Sequence, residues 1–292
     1  AGEDACAQAP VGTGQYKFVE WVAGDHMKVE LNKDWWGYDA DVCGGTALAD
    51  ADAGFKSITF KPVAESATRV SAIQAGDAQI MWSVPTESVD TLKGDSNVSV
   101  GMGDSITVWY FFMNTQKAPF NDVKVREAMA YAINKEAYIQ VVMNGYGSVA
   151  TSMVGEAVQH YKGNDPYSYD PEKAKELLKE AGYPDGFTTT LMYSNTTANQ
   201  KKAEFYKQQL AEVGIDLELN GMESAVLNEK VQGADCAGAD AEVDCYLSGW
   251  STSTGDADWG LRPMLATESE PPMSYNISYY ERSEERRVGK EC

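Results

Sequence analysis

The stretch that most constrains this chain runs from Asp170 to Leu219, where helix and strand signals alternate with their start and stop residues in place. Asp170 suits a helix cap and Pro171 a first turn. Ala174, Leu177, Leu178 and Ala181 recur at helical spacing, and Gly182 and Pro184 supply the stop. Phe187–Ser194 then reads as a strand. Residues 195–199 cap a second helix whose inward face carries Ala203, Tyr206, Leu210 and Val213; Gly214 ends it, and Ile215–Leu219 reads as a further strand. Strand, crossover helix and strand make a β-α-β unit, which places this half of the chain in the α/β class.

The amino-terminal half follows a similar pattern. Gln15–Trp21 and Met27–Leu31 flank Ala23-Gly24-Asp25 and predict a β-hairpin. Ser57–Val63, a helix over Glu65–Ala75 stopped by Gly76, and the apolar Ala78–Trp82 predict another β-α-β unit. Loops after the carboxyl ends of parallel strands are where α/β sheets bind ligands, so Trp82–Thr86 becomes a candidate site segment. Residues 38–54, rich in Asp, Ala and Gly, predict a surface loop. Their DADAG run does not make an EF-hand, because Phe55 and Lys61 stand where that loop needs Gly and Glu.

Ser105–Asn114, SITVWYFFMN, reads as a buried strand and is followed by a polar stretch, which locates a domain boundary there. A long helix is then predicted from an Asn121 or Asp122 cap to about Met143, ending at Asn144-Gly145.

Charge narrows the range of functions. With 24 Lys+Arg against 44 Asp+Glu the formal charge is −20, which excludes a nucleic-acid binder working through phosphates and disfavours an anionic membrane surface. The segment from Arg282 breaks this pattern: RSEERRVGKEC holds four basic residues against three Glu, reads like adapter or vector read-through, and is set apart as a non-native tail (282–292). Five cysteines form no CxxC pair. Cys236 and Cys245 bracket eight residues that a disulfide could close, with Cys6 and Cys43 a looser second pairing, and both fit an oxidising compartment.

Catalytic signatures are missing from the sequence. The nearest approach to a nucleophile elbow, Gly249-Trp250-Ser251-Thr252-Ser253, lacks the closing Gly; there is no Walker A, and the dinucleotide fingerprint fails at Lys17. His26 and His160 assemble no metal set with the cysteines. A binding protein, not an enzyme, is the expectation, with no cofactor or metal; a hydrolase built on acidic pairs such as Asp256 and Asp258 is the competing class. The residue-rich place is Tyr246–Pro263, YLSGWSTSTGDADWGLRP, where a strand at Tyr246-Leu247 leads into a loop holding Trp250, Ser251, Thr252, Asp256, Asp258 and Trp259. Aromatic walls with a few directed polar groups suit a small-molecule cleft.

Four ordered blocks carry a family resemblance: PVGTGQYKFVEW (10–21), KPVAESATRVSAIQAGDAQI (61–80), MNTQKAPFNDVKVREAMAYAINKEA (113–137) and YDPEKAKELLKEAGYPDGF (169–187). Together they resemble the extracellular solute-binding proteins of peptide, nickel and opine ABC importers. Within that family GWSTSTGDADW (249–259) and the Pro271-Pro272 pair ahead of Tyr279-Tyr280 are most similar to members that bind glutathione. The resemblance implies an incomplete two-lobe, Venus-flytrap fold of the periplasmic-binding-protein kind, with mixed sheets and β-α-β units. It also implies that the chain is an internal fragment, with residues 1–108 the middle part of domain I and 109–281 most of domain III.

It implies function as well. Lobe closure on a small peptide, either glutathione or a di- or oligopeptide, would precede delivery to an ABC permease, with nickel, haem or opine ligands as alternatives. The compartment would be the periplasm, or the outer surface with a lipid anchor. Carried over residue by residue, Asp258 would receive the ligand's α-ammonium, and Trp250, Trp259, Trp109 and Tyr110 would form walls, beside Ser251, Thr252 and Trp82.

Overall fold

Tyr16–Val22 (β1) and His26–Leu31 (β2) pair antiparallel, with Tyr16 opposite Leu31, across a turn in which Gly24 takes a φ of +76°. In the computed structural model, which describes residues 8–42, 55–233 and 238–281, the chain forms two compact units, Ala1–Ser99 and Val100–Cys292. In the first, Ser57–Phe60 (β3) adds to β2, again antiparallel, to give a three-stranded sheet of order β1-β2-β3. Helix α1 (Ser66–Ala75) follows, tied to its lead-in by the Arg69 guanidinium, which donates to the carbonyls of Val63 (2.7 Å) and Ala64 (2.8 Å). It stops at Gly76, whose φ of +80° only glycine adopts without strain. A short helix, α2 (Val89–Lys93), completes the unit.

The expected strand over Ala78–Trp82 does not form, so the β-α-β unit expected there is absent among the described residues. Ile80 and Trp82 are 71% and 88% exposed, and among the described residues no strand pairs with the second edge of β3. Apolar β-prone residues become a strand only where a ladder partner satisfies their backbone.

The second unit opens with β4 (Thr107–Met113), then α3 (Val123–Ala132), α4 (Lys135–Val141), α5 (Pro171–Glu180), β5 (Phe187–Ser194), α6 (Thr197–Ala211), β6 (Ile215–Met222), α7 (Ser224–Gln232), β7 (Cys245–Ser251) and α8 (Ala257–Leu265). The sheet order is β4-β7-β5-β6. Strand β5 runs parallel to β6 and β7, and β4 antiparallel to β7, from Thr107 opposite Ser251 to Met113 opposite Cys245. The two units divide after Ser99, so β4 and its ladder to β7 lie whole in the second.

The β-α-β unit at β5-α6-β6 forms as the sequence requires, with Phe187 opposite Ile215. The Asp170 carboxylate accepts from the Lys173 amide (2.9 Å) at the start of α5, and Pro171 occupies its first turn. The long helix after Asp122 instead breaks in two. Ile133 is extended (φ −101°, ψ 117°), and the Asn134 side chain accepts from the Ala137 amide (2.8 Å), capping α4 anew. An Asn side chain that can bond its own backbone competes with helix continuation and wins here.

Both faces of this sheet are covered. Helices α3, α5 and α6 bury Val125, Met129, Leu178, Ala203 and Leu210 against Leu191, Leu217 and Leu247, while Leu227, Val231, Ile277 and Tyr279 pack with Met192 and Tyr246 on the other side. The turns before β5 and β6 touch at Gly186 and Gly214, both at positive φ; a Cβ on Gly186 would fall 1.8 Å from the Gly214 carbonyl oxygen. Cys245, half of the expected disulfide, is instead a free thiol in this core, 3.9 Å from the Thr189 hydroxyl. Burial pushes its pKa up. Cys236, Cys6, Cys43 and the tail from Arg282 lie outside the described residues.

Candidate functional site

The carboxyl end of β7 and the start of α8 bring together most of what the sequence singled out. The strand expected at Tyr246-Leu247 forms as part of Cys245–Ser251 and takes in Trp250 and Ser251, which were expected in a loop; Ala257–Leu265 beyond is a helix where that loop was expected to continue. Asp256 caps it, its carboxylate accepting from the Asp258 amide (2.9 Å). The capping role was legible, since Asp at an N-cap is favoured before a helix; Pro263 inside the run argued against a helix there.

Asp258 thus stands in the first turn of α8, where the helix dipole favours a negative charge. One turn on, Arg262 grips it as a fork, Nη2 to Oδ1 at 2.8 Å and Nε to Oδ2 at 3.2 Å, and this pairing lowers the carboxyl pKa and raises that of the guanidinium. Arg262 did not appear among the expected site residues, although its i+4 spacing from Asp258 was visible. Both side chains are open to solvent, so the carboxylate remains reachable by a second cation.

Beside it lies an aromatic group. The Trp250 indole N–H donates to the Trp259 carbonyl (3.0 Å), its ring is 6.1 Å from that of Trp259, and it packs on Tyr275 at 4.6 Å between centroids. Tyr275 comes from the far carboxyl-terminal segment, and no local spacing pointed to it. Thr252, by contrast, is buried. Its amide donates to the Ile106 carbonyl (3.2 Å) and its carbonyl accepts from Gly255 (2.8 Å). Its side chain and Val154 sit where a Cβ on Gly260 would intrude, so Thr252 seats α8 and does not face a cleft.

Strand alternation sorts the remaining residues. Val108, Tyr110 and Trp250 share one face of the sheet, and Thr107, Trp109, Gly249 and Ser251 the other. The Tyr110 hydroxyl donates to the Met153 carbonyl, and burial raises its pKa. Ser251 and Thr107 join hydroxyls at 2.6 Å. Trp82 belongs to the first unit. Trp109 lies over Gly249, 40% exposed, with the Lys202 ammonium 2.9 Å from its ring centroid. Lys202 is 6% exposed and hydrogen-bonds Asn199 Oδ1 at 3.3 Å; burial pulls its pKa down to about 8. Its signal in the sequence was a lysine on the buried stripe of α6, one turn before Tyr206. Among the described residues no cluster of three or more His, Cys, Asp or Glu could hold a metal ion.

With the mixed sheet and its edge in view, the decisive comparison is with protein families. Residues 2–271 match the bacterial extracellular solute-binding proteins, family 5 Middle. The chain belongs to this family. The glutathione-binding protein GsiB of Pectobacterium atrosepticum is 39% identical over 272 residues, and that of Escherichia coli K12 38%; each alignment covers 93% of this chain and 50% of the relative. The chain therefore spans about half the length of the curated relatives it matches. Among solved structures, the periplasmic binding protein DppA of Helicobacter pylori in complex with the peptide STSA superposes with a TM-score of 0.81 at 29% identity, over 97% of this chain and 51% of that one. A Pseudoalteromonas dipeptide-binding protein in complex with Met-Leu gives 0.78 at 21% identity, over 98% of this chain and 56% of that one, and shares the fold. The incomplete α/β solute-binding fold and the family resemblance read from the sequence both stand.

Proposed function

We propose that this chain is part of the substrate-binding component of an ABC importer, one that captures a small peptide and delivers it to a membrane permease without breaking a bond in it. Glutathione is the first candidate ligand. The observation that carries the reading is Asp258: a carboxylate in the first turn of α8, pinned by Arg262 and flanked by the Trp250–Trp259–Tyr275 aromatic group. A carboxylate of this kind makes a charge-assisted hydrogen bond to an α-ammonium, and neighbouring indoles exclude water and stack on the peptide. The GsiB relatives support glutathione, and the peptide complex of DppA supports a broader di- or oligopeptide range.

Residues 109–281 then correspond to most of domain III, the ligand-binding lobe, and residues 1–108 to the middle part of domain I. Ligand bridging two lobes would stabilise a closed form that the permease reads, which is a population shift driven by differential affinity. The family is extracellular; periplasmic residence or a lipid anchor are the two forms that fit. The test is calorimetry on the full-length protein with glutathione, a panel of di- and tripeptides, and Asp258→Asn. Micromolar or tighter binding of one of these, weakened roughly 10- to 100-fold by the substitution, is expected. Saturable binding indifferent to Asp258, or hydrolysis of the peptide, would overturn the proposal.

A further inference from the structure

The Lys202 ammonium is buried with few partners. It is 94% buried, counting from its 6% exposure, yet its partners are one amide oxygen, Asn199 Oδ1 at 3.3 Å, and the face of Trp109. No carboxylate of the described residues lies within ion-pair distance of it. An ammonium has three donors, and an indole face attracts the charge but accepts no conventional hydrogen bond. A buried cation in this state either gives up its proton or gains an anion as partner.

Its position says where that anion would come from. Lys202 lies in the second turn of α6, the helix that leaves the carboxyl end of β5, and Trp109 pairs with Gly249 two residues from the carboxyl end of β7. This is the sheet edge at which parallel α/β strands present their ligands. Trp250 and α8 occupy the same edge on the opposite face. The edge therefore carries a carboxylate, Asp258, on one side and an unpaired ammonium on the other, a layout complementary to a zwitterion. Trp109, 40% exposed, lies across the ammonium, and among the described residues its indole N–H makes no hydrogen bond, so the ring swings aside without breaking one.

We propose that Lys202 is the receptor for a carboxylate of the bound peptide, with the Trp109 indole as its displaceable cap. This rests on the peptide-binding reading above and adds the group that selects for a free acid. The test uses the full-length protein and two probe pairs: glutathione against its glycine ethyl ester, and Met-Leu against Met-Leu amide. Wild-type protein is expected to prefer the acid of at least one pair by tenfold or more. Lys202→Met should abolish that preference by weakening the acid alone, and Lys202→Arg should restore most of it. Equal loss for acid and neutral form, or an unchanged preference in Lys202→Met, would overturn the assignment while leaving peptide binding intact. If wild-type protein binds neither pair, the peptide reading itself fails and Lys202 loses its proposed role with it.

Discussion

Replacing Lys202 by Met should make the protein more stable, and the size of the gain follows from the surroundings of the ammonium. Burial lowers its pKa from the ordinary 10.5 to about 8, which corresponds to about 3 kcal/mol held against the native state at neutral pH. The Trp109 face offsets part of this, by up to about 2 kcal/mol for a desolvated pair, and that attraction disappears with the charge. A gain of about 1–2 kcal/mol at pH 7 is therefore expected from Lys202→Met, which keeps the apolar stem.

The pH dependence fixes the cause. Below pH about 8 both native and unfolded chains hold the proton and the full penalty applies. Between about 8 and 10.5 the unfolded chain still holds it while the native chain has released it, so wild-type stability from this group rises with pH and the advantage of Met shrinks. Urea unfolding followed by circular dichroism at pH 7 and pH 10.5 reads both quantities. A variant less stable than wild type by 1 kcal/mol at pH 7, or an advantage that does not narrow at high pH, refutes the reasoning. A lysine kept at a loss of stability belongs with residues retained for function.

Three further outcomes can be checked together. Gly186→Ala should cost about 3 kcal/mol or more in the same assay, because a Cβ there meets the Gly214 carbonyl at 1.8 Å and the backbone sits at a φ of +78°; a near-neutral effect would mean the two turns do not touch. Cys245 should resist iodoacetamide at pH 8 until urea unfolds the protein, since only the thiolate reacts and burial disfavours it; peptide mapping of the labelled sites decides this, and native-state labelling counts against the core position. Asp170→Ala should remove a cap and destabilise by about 1 kcal/mol, with calorimetric melting as the readout.

The β5-α6-β6 unit was fully legible because every signal there is local: caps, stops and apolar period all lie within the segment they specify. Ala78–Trp82 shows the limit of that information. Its composition is strand-like, but whether a strand forms depends on an edge elsewhere to pair with, and the sequence does not say where edges are. Asn134 is the opposite case, a local competition between cap and helix that the apolar stripe of Val125, Met129, Ala132 and Ile133 concealed. At the site, the aromatic and acidic residues around Asp258 could be found by composition. Tyr275 could not, since it reaches Trp250 from another segment, nor could the sorting of Trp109 and Trp250 onto opposite faces, which rests on the register of β4 against β7.

That register also governs how the chain is made. Strand β4 is complete by Met113, yet its partner ends 144 residues after Thr107. Until synthesis has passed Ser251, the apolar run TVWYFFM lacks its β7 ladder, and closing so long a loop is an entropically late step. An unpaired apolar strand is a template for association with other chains. The last piece of this sheet to be delivered is thus the one carrying Trp250, so the Trp250–Trp259 aromatic contact and the pairing of TVWYFFM arrive in the same event.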